Sequence, residues 1–217
     1  MRILLHSFFS ALSTNRACRA VLAACAALLL GAVAAGAQAN SASLLKPPAG
    51  ARVAIVEFGD LQCPSCAHAN PILKEAAAKY HIPWVRHDFL IPDHNWSRIA
   101  AVDARWFDTK SKALGDEYRD QVFANQNFIE TPVQLNQFTQ KFAQSHGIAL
   151  PFAIDPQGKL MAEVNADVAL GNRLGVTQTP TIYIVSEGPR GISATQVKDV
   201  DSDLYSTIDA AMARAHR

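Results

Sequence analysis

Residues 52–66 read RVAIVEFGDLQCPSC: a β-branched apolar run that stops in a polar turn and meets two cysteines two residues apart. Beyond Cys63 the apolar residues Ala69, Ile72, Leu73, Ala76 and Tyr80 recur at helical spacing. The pair therefore stands where a short buried strand hands over to an amphipathic helix. A second apolar run, IPWVRHDFLI at 82–91, reads as another strand. Two strands joined through a helix run parallel, because the crossover brings the chain back to the same end of the sheet. A β-α-β unit with a dithiol at its first turn narrows the possible folds sharply.

From Asn95 to Gly175 the pattern is helical, with four candidate helices at 97–113, 116–126, 132–146 and 158–175 between Gly, Pro or polar breaks. Thr131 and Pro132 form an N-cap and first-position pair. A strand returns at 179–186, a turn at 188–191 and a weaker strand at 194–200, and a capped amphipathic helix closes the chain at 201–217. The order is that of an α/β protein whose βαβ unit and C-terminal ββα unit are separated by a helical insertion. Its divisions are a linker at 40–51, an N-terminal part at 52–94, the insertion at 95–175 and a C-terminal part at 176–217. With 217 residues, 49% of them apolar and 18% charged, the chain has material for one good-sized core.

The first 39 residues differ in kind. Arg2, Arg16 and Arg19 are their only charges, residues 20–37 carry none, and Ala37-Gln38-Ala39 offers small residues where a signal peptidase reads. A basic start, an apolar stretch and such a site make a secretory signal cleaved after Ala39. The competing expectation is an anchor kept in the membrane, since the run approaches spanning length. Cleavage would remove three of 20 basic residues and none of 19 acidic ones, leaving 17 against 19 and a net charge of −2. No basic patch argues for nucleic acid. Cys18 and Cys25 would also leave, so the exported chain keeps only Cys63 and Cys66, in an oxidising compartment such as the periplasm.

Three uses of the pair compete. A structural zinc site needs four ligands, and beyond one Cys pair the chain offers only His68 nearby, with His81, His87, His94 and His146 scattered. A structural staple closing a two-residue loop would constrain the unfolded chain little. Redox chemistry fits best. Cys63 at a helix N-terminus meets unpaired backbone N–H groups and the positive end of the dipole, which favour its thiolate. Pro64 fills the first turn, where a missing N–H is harmless, and Ser65 completes the dipeptide. Cys63 is then the nucleophile and Cys66, one turn in, the shielded resolving thiol.

At this point the stretch EFGDLQCPSC resembles the thioredoxin superfamily, and within it the DsbA-like branch of exported thiol–disulfide oxidoreductases. Pro71, eight residues past Cys63, matches the helix-kinking proline of the superfamily, and Pro180 in GVTQTPTIYI matches its cis-proline. The resemblance implies that Thr179 and Pro180 face the dithiol and bind an extended substrate segment. It also implies partners: exported proteins with free cysteines, and a membrane quinone-linked oxidase that restores the disulfide. No cofactor or metal is implied, and a monomer is expected. For Glu57, the one charge within VAIVEF, two readings stand: a solvent-facing edge residue, or the buried acid of the superfamily, with a raised pKa and a proton to exchange with Cys66.

Asp60 reads as a turn or cap residue. His68, His87 and His94 read as helix surface, strand and loop, and Trp96, Trp106 and Phe107 as core. The function expected is disulfide donation. Its rivals are a reductase or isomerase on the same fold, and a metal-carrying or chaperone-like protein that uses the dithiol as ligands. CPSC lacks the histidine of the strongest oxidants of the branch.

Overall fold

The structure is a computed structural model that describes residues 44–216. The signal segment and its expected cleavage site lie outside the described residues. Among the described residues no helix is long and apolar enough to cross a membrane.

Strand β1 (Val53–Gly59) leads into helix α1 (Pro64–Tyr80) and strand β2 (Trp84–Asp88). After the helical segment come β3 (Thr181–Gly188), β4 (Gly191–Val197) and the last helix, α6 (Leu204–His216). The sheet order is β2-β1-β3-β4. β1 and β2 pair in parallel, as the crossover requires, whereas β3 runs antiparallel to both β1 and β4. β2 starts at Trp84, later than the apolar run suggests, because Pro83 has no N–H to give to the ladder. β4 begins earlier than expected, at Gly191 opposite Gly188, so only Pro189 and Arg190 turn the hairpin.

Alternation along β1 sorts its side chains to two faces. Val53 and Ile55 pack with Leu73 and Ala76 of α1 and with Ile208 and Ala211 of α6. Val56 and Phe58 face the other way, onto Phe89, Val185 and the helix that precedes β3. With both faces covered, the central strand is buried along nearly its whole length.

The intervening helices are α2 (Ser97–Asp108), α3 (Lys112–Ala124), α4 (Pro132–Ser145) and α5 (Lys159–Arg173), with a 3-10 turn at Gln126–Phe128. The break between the first two falls at 109–111 rather than before Asp116. Ser111 caps α3 by accepting from Leu114 N, and Gly115 stays inside the helix. A Cβ there would stand 1.9 Å from Asp108 Oδ1, so this glycine serves close approach rather than a turn. Thr131 and Gln134 form a full capping box at α4. Trp96, Phe107, Tyr118, Leu135 and Phe142 build a second core, with Trp106 packed in it. Leu61, from the loop before the dithiol, is buried in this core too.

Helix α5 packs tightly at Gly171, where a Cβ would lie 2.5 Å from Phe89 Cδ2 and 3.2 Å from Phe58 Cδ1. Glycine to alanine inside a helix ordinarily gains about 1 kcal/mol. Here overpacking against two buried rings, about 1–3 kcal/mol, outweighs it. Gly171→Ala should lower the denaturant midpoint, and a raised midpoint would show that α5 does not press on the sheet.

Candidate active site

Cys63 is the N-cap residue of α1, with extended backbone (φ −81°, ψ 121°) and Pro64 opening the helix. Both cysteines are free thiols. Pro64 and Ser65 are exposed, Cys63 is mostly covered, and Cys66 is completely buried. The Cys63 pKa is pulled down to about 5, first by the hydrogen bond the Cys66 thiol donates to its sulfur. Burial works against this, while the Thr179 hydroxyl and the backbone N–H groups of Cys66 and Ser65 add to it. The same hydrogen bond pushes Cys66 far up, since its proton is the one being shared; burial and the nearby Glu57 push the same way.

The loop before β3 meets the dithiol from across the sheet end. Cys63 Sγ lies 3.4 Å from the Thr179 carbonyl oxygen, to which its S–H donates in the thiol form. The Thr179–Pro180 peptide bond is cis. Pro71 lies inside α1 on its exposed side, where it has no N–H to offer the Ala67 carbonyl.

Glu57 does not face solvent. The β1 alternation turns it with Val53 and Ile55 toward the face that α1 covers, and it is 4% exposed. Trp84 Nε1 donates to Glu57 Oε2 at 3.1 Å. The Arg86 guanidinium lies 3.7 Å from the Trp84 ring centre and donates to Asn70 Oδ1 and Asp120 Oδ1. Burial raises the Glu57 carboxyl to about 7; Arg86 and the Trp84 bond pull it down, and the charges of Cys63 and Asp88 push it up. A cavity of about 20 Å³ beside it, lined by Glu57, Arg86, Asp88 and Arg119 among others, is wide enough for one water.

Asp60 is the turn residue its position suggests: Oδ1 accepts from Gln62 N and Oδ2 from Ile91 N, both at 2.8 Å. Its own N–H donates to Cys66 Sγ at 3.5 Å. His94 Nδ1 stands 2.9 Å from Asp60 Oδ2. His68 sits on the exposed face of α1 beside Asp201, and His87 on β2 lies 2.7 Å from Asp167 Oδ1. Trp84 and Arg86 are the site residues that sequence reasoning passed over. The parallel register that sets Arg86 beside Glu57 is the signal that points to them. No group of three or more His, Cys, Asp or Glu among the described residues is arranged to hold a metal ion.

The sequence model of the family described as Thioredoxin matches residues 48–194. No curated protein matches the chain. Among solved structures, α-DsbA1 of Wolbachia pipientis superposes with a TM-score of 0.60 at 16% identity, over 78% of this chain and 90% of that one. DsbA2 of Pseudomonas aeruginosa gives 0.59 at 18% identity, over 77% and 90%. The thiol-disulfide exchange protein α-DsbA2 of W. pipientis gives 0.57 at 16%, over 76% and 85%. At such identities the likeness is one of fold. The chain belongs to the thioredoxin family and carries the DsbA-like form of its fold.

Proposed function

We propose that this protein is an exported thiol–disulfide oxidoreductase that exchanges disulfides with other exported proteins through Cys63 and Cys66, as a donor. The observation that carries the reading is the split between two thiols one helical turn apart: Cys63 held near pKa 5 and Cys66 driven far up. One sulfur is a stable thiolate and therefore a good leaving group; the other is shielded and keeps its proton.

In the donor direction the protein starts as the Cys63–Cys66 disulfide. A substrate thiolate attacks Cys63 Sγ, the S–S bond breaks, and Cys66 departs as a thiolate that takes a proton. Glu57, near pKa 7 and close enough to bear on Cys66, is the group placed to supply it. The second substrate thiolate then attacks its neighbour's sulfur in the mixed disulfide and expels Cys63 as thiolate. Two electrons pass from the substrate dithiol to the protein. A substrate segment lies extended along Thr179 and Pro180. A membrane quinone-linked oxidase takes the electrons onward, the protein acts as a monomer in the periplasm or a similar space, and no cofactor is needed.

Cys66→Ala should accumulate mixed disulfides with substrate through Cys63, and Cys63→Ala none, on a non-reducing gel. Equal trapping by both would reverse the assignment of roles.

Glu57 is an acid whose folded pKa lies above its unfolded value of 4.5, so it weakens the fold progressively between about pH 4.5 and 7 and fully above that. Glu57→Gln should therefore raise stability at pH 8 by up to about 3 kcal/mol, a gain that disappears below pH 4.5, and should change the pH profile of exchange. An unchanged profile would return Glu57 to a packing role.

Cys63 is depressed from its ordinary thiol value to about 5, so its stabilising effect is full at alkaline pH and is lost as pH falls through 5. Only the reduced protein has this thiolate. The oxidised form should therefore melt below the reduced form at pH 7, with the gap closing toward pH 4. Its potential should lie between about −230 and −120 mV. An oxidised form that melts higher, with a potential near −270 mV, would favour a reductase.

A further inference from the structure

The loop that carries Cys63 is held from outside its own fold unit. Gln126, on the 3-10 turn between α3 and α4, donates from Nε2 to the Leu61 carbonyl at 2.7 Å and to the Cys63 carbonyl at 3.1 Å. Gln62, between those two carbonyls, reaches back the other way: its Oε1 accepts from Trp96 N at 2.8 Å and Ser97 N at 3.1 Å, at the start of α2. The buried Trp96 indole in turn donates to the Ile129 carbonyl at 2.9 Å, one residue past the turn that carries Gln126. The hydrogen bonds close a ring: Gln62 to Trp96, Trp96 to the 3-10 turn, and Gln126 back to both neighbours of Gln62.

We propose that Gln126 is a positioning residue for the dithiol: through this ring it fixes the Cys63 peptide so that the first N–H groups of α1 stay aimed at the Cys63 sulfur. The inference rests on the redox reading of the pair. Its physical basis is that the Cys63 carbonyl also accepts from Cys66 N and Ala67 N, both at 3.1 Å, so the group Gln126 grips is the one that starts the helix. A side chain without N–H donors takes from the Leu61 carbonyl its side-chain partner and from the Cys63 carbonyl one of its three donors, and lets the N-cap residue turn. The titratable groups that bear on Cys63, namely Cys66 and Glu57, are unchanged by such a substitution.

The test is the pH midpoint of Cys63 thiolate formation in the full reduced protein, read by thiolate ultraviolet absorbance and by alkylation rate. Gln126→Ala should raise the midpoint and so lower the thiolate-to-thiol ratio at pH 5 by roughly threefold to tenfold, the worth of one net hydrogen bond. Gln126→Glu, equal in size but with acceptors facing two carbonyls, should raise it further. Trp96→Phe removes the indole N–H together with part of a buried side chain and leaves both Gln126 bonds in place, so it should raise the midpoint less. The exposed Gln121→Ala on the neighbouring helix serves as control. If Gln126→Ala does not fold, Gln126→Met keeps the bulk and removes the donor. Midpoints equal to wild type in folded Gln126→Met and Gln126→Glu would overturn the proposal. A wild type with a depressed midpoint but no exchange with protein substrates would instead defeat the functional reading and leave the positioning role standing.

Discussion

The meeting of one sulfur with the first turn of one helix is the interaction that the rest of the structure serves. A helix N-terminus has N–H groups without intrahelical partners, and here Cys63 takes the place usually held by a capping oxygen, with no side-chain cap of the ordinary kind. The backbone donors then stabilise a sulfur anion instead of an oxygen. For that to hold, β1 must end at Gly59, Asp60 must turn the chain, and the loop must be stiff enough to keep Cys63 extended. Each requirement has its own residue: the Asp60 carboxylate fastens the turn to Gln62 N and Ile91 N, and Leu61 is buried in the helical core.

The three acidic groups of the site are treated in two ways. Cys66 and Glu57 are both cut off from water beneath α1, so both hold their protons more tightly, whereas Cys63, at the rim, is given donors and loses its proton easily. A proton-rich interior beside an anionic rim is the arrangement that a two-thiol exchange needs. Glu57 is kept in this environment without being fully neutralised: Trp84 offers one hydrogen bond, and Arg86, engaged with Asn70 and Asp120, acts from a distance.

Charged contacts join the helical segment to the edge strand β2. Arg105 of α2 reaches Asp88 of β2 and Glu163 and Asp167 of α5, while Arg119 of α3 pairs with Asp108. Partly buried ion pairs add little net stability over apolar packing. Burying Asp88 raises its pKa, and the Arg105 guanidinium pulls the other way.

Much of this was legible in the chain itself. The β-α-β start, the helical middle, the hairpin and the closing helix follow from periodicity and turn residues, because those signals act within a few positions along the backbone. The chemistry of Cys63 was equally local: a cysteine at a strand-to-helix junction meets helix N–H groups whatever the rest of the fold does. Helix breaks were less secure. Gly115 reads as a stop, yet it is kept by a contact with Asp108 that exists only once α2 and α3 have packed. Whether Glu57 met water or protein depended on α1 closing over that face of β1. The pairing of Glu57 with Trp84 and of Arg86 with Asp120, and the ring through Gln62, Trp96 and Gln126, join residues 27 to 65 positions apart. Hydrogen-bond direction at such separations is set by how the layers dock, and no local pattern encodes it. The sequence determined which sulfur would stand at the helix N-terminus; the tertiary structure decided how dry its surroundings are and what holds it in place, because desolvation and long-range hydrogen bonds arise only when distant segments share one interior.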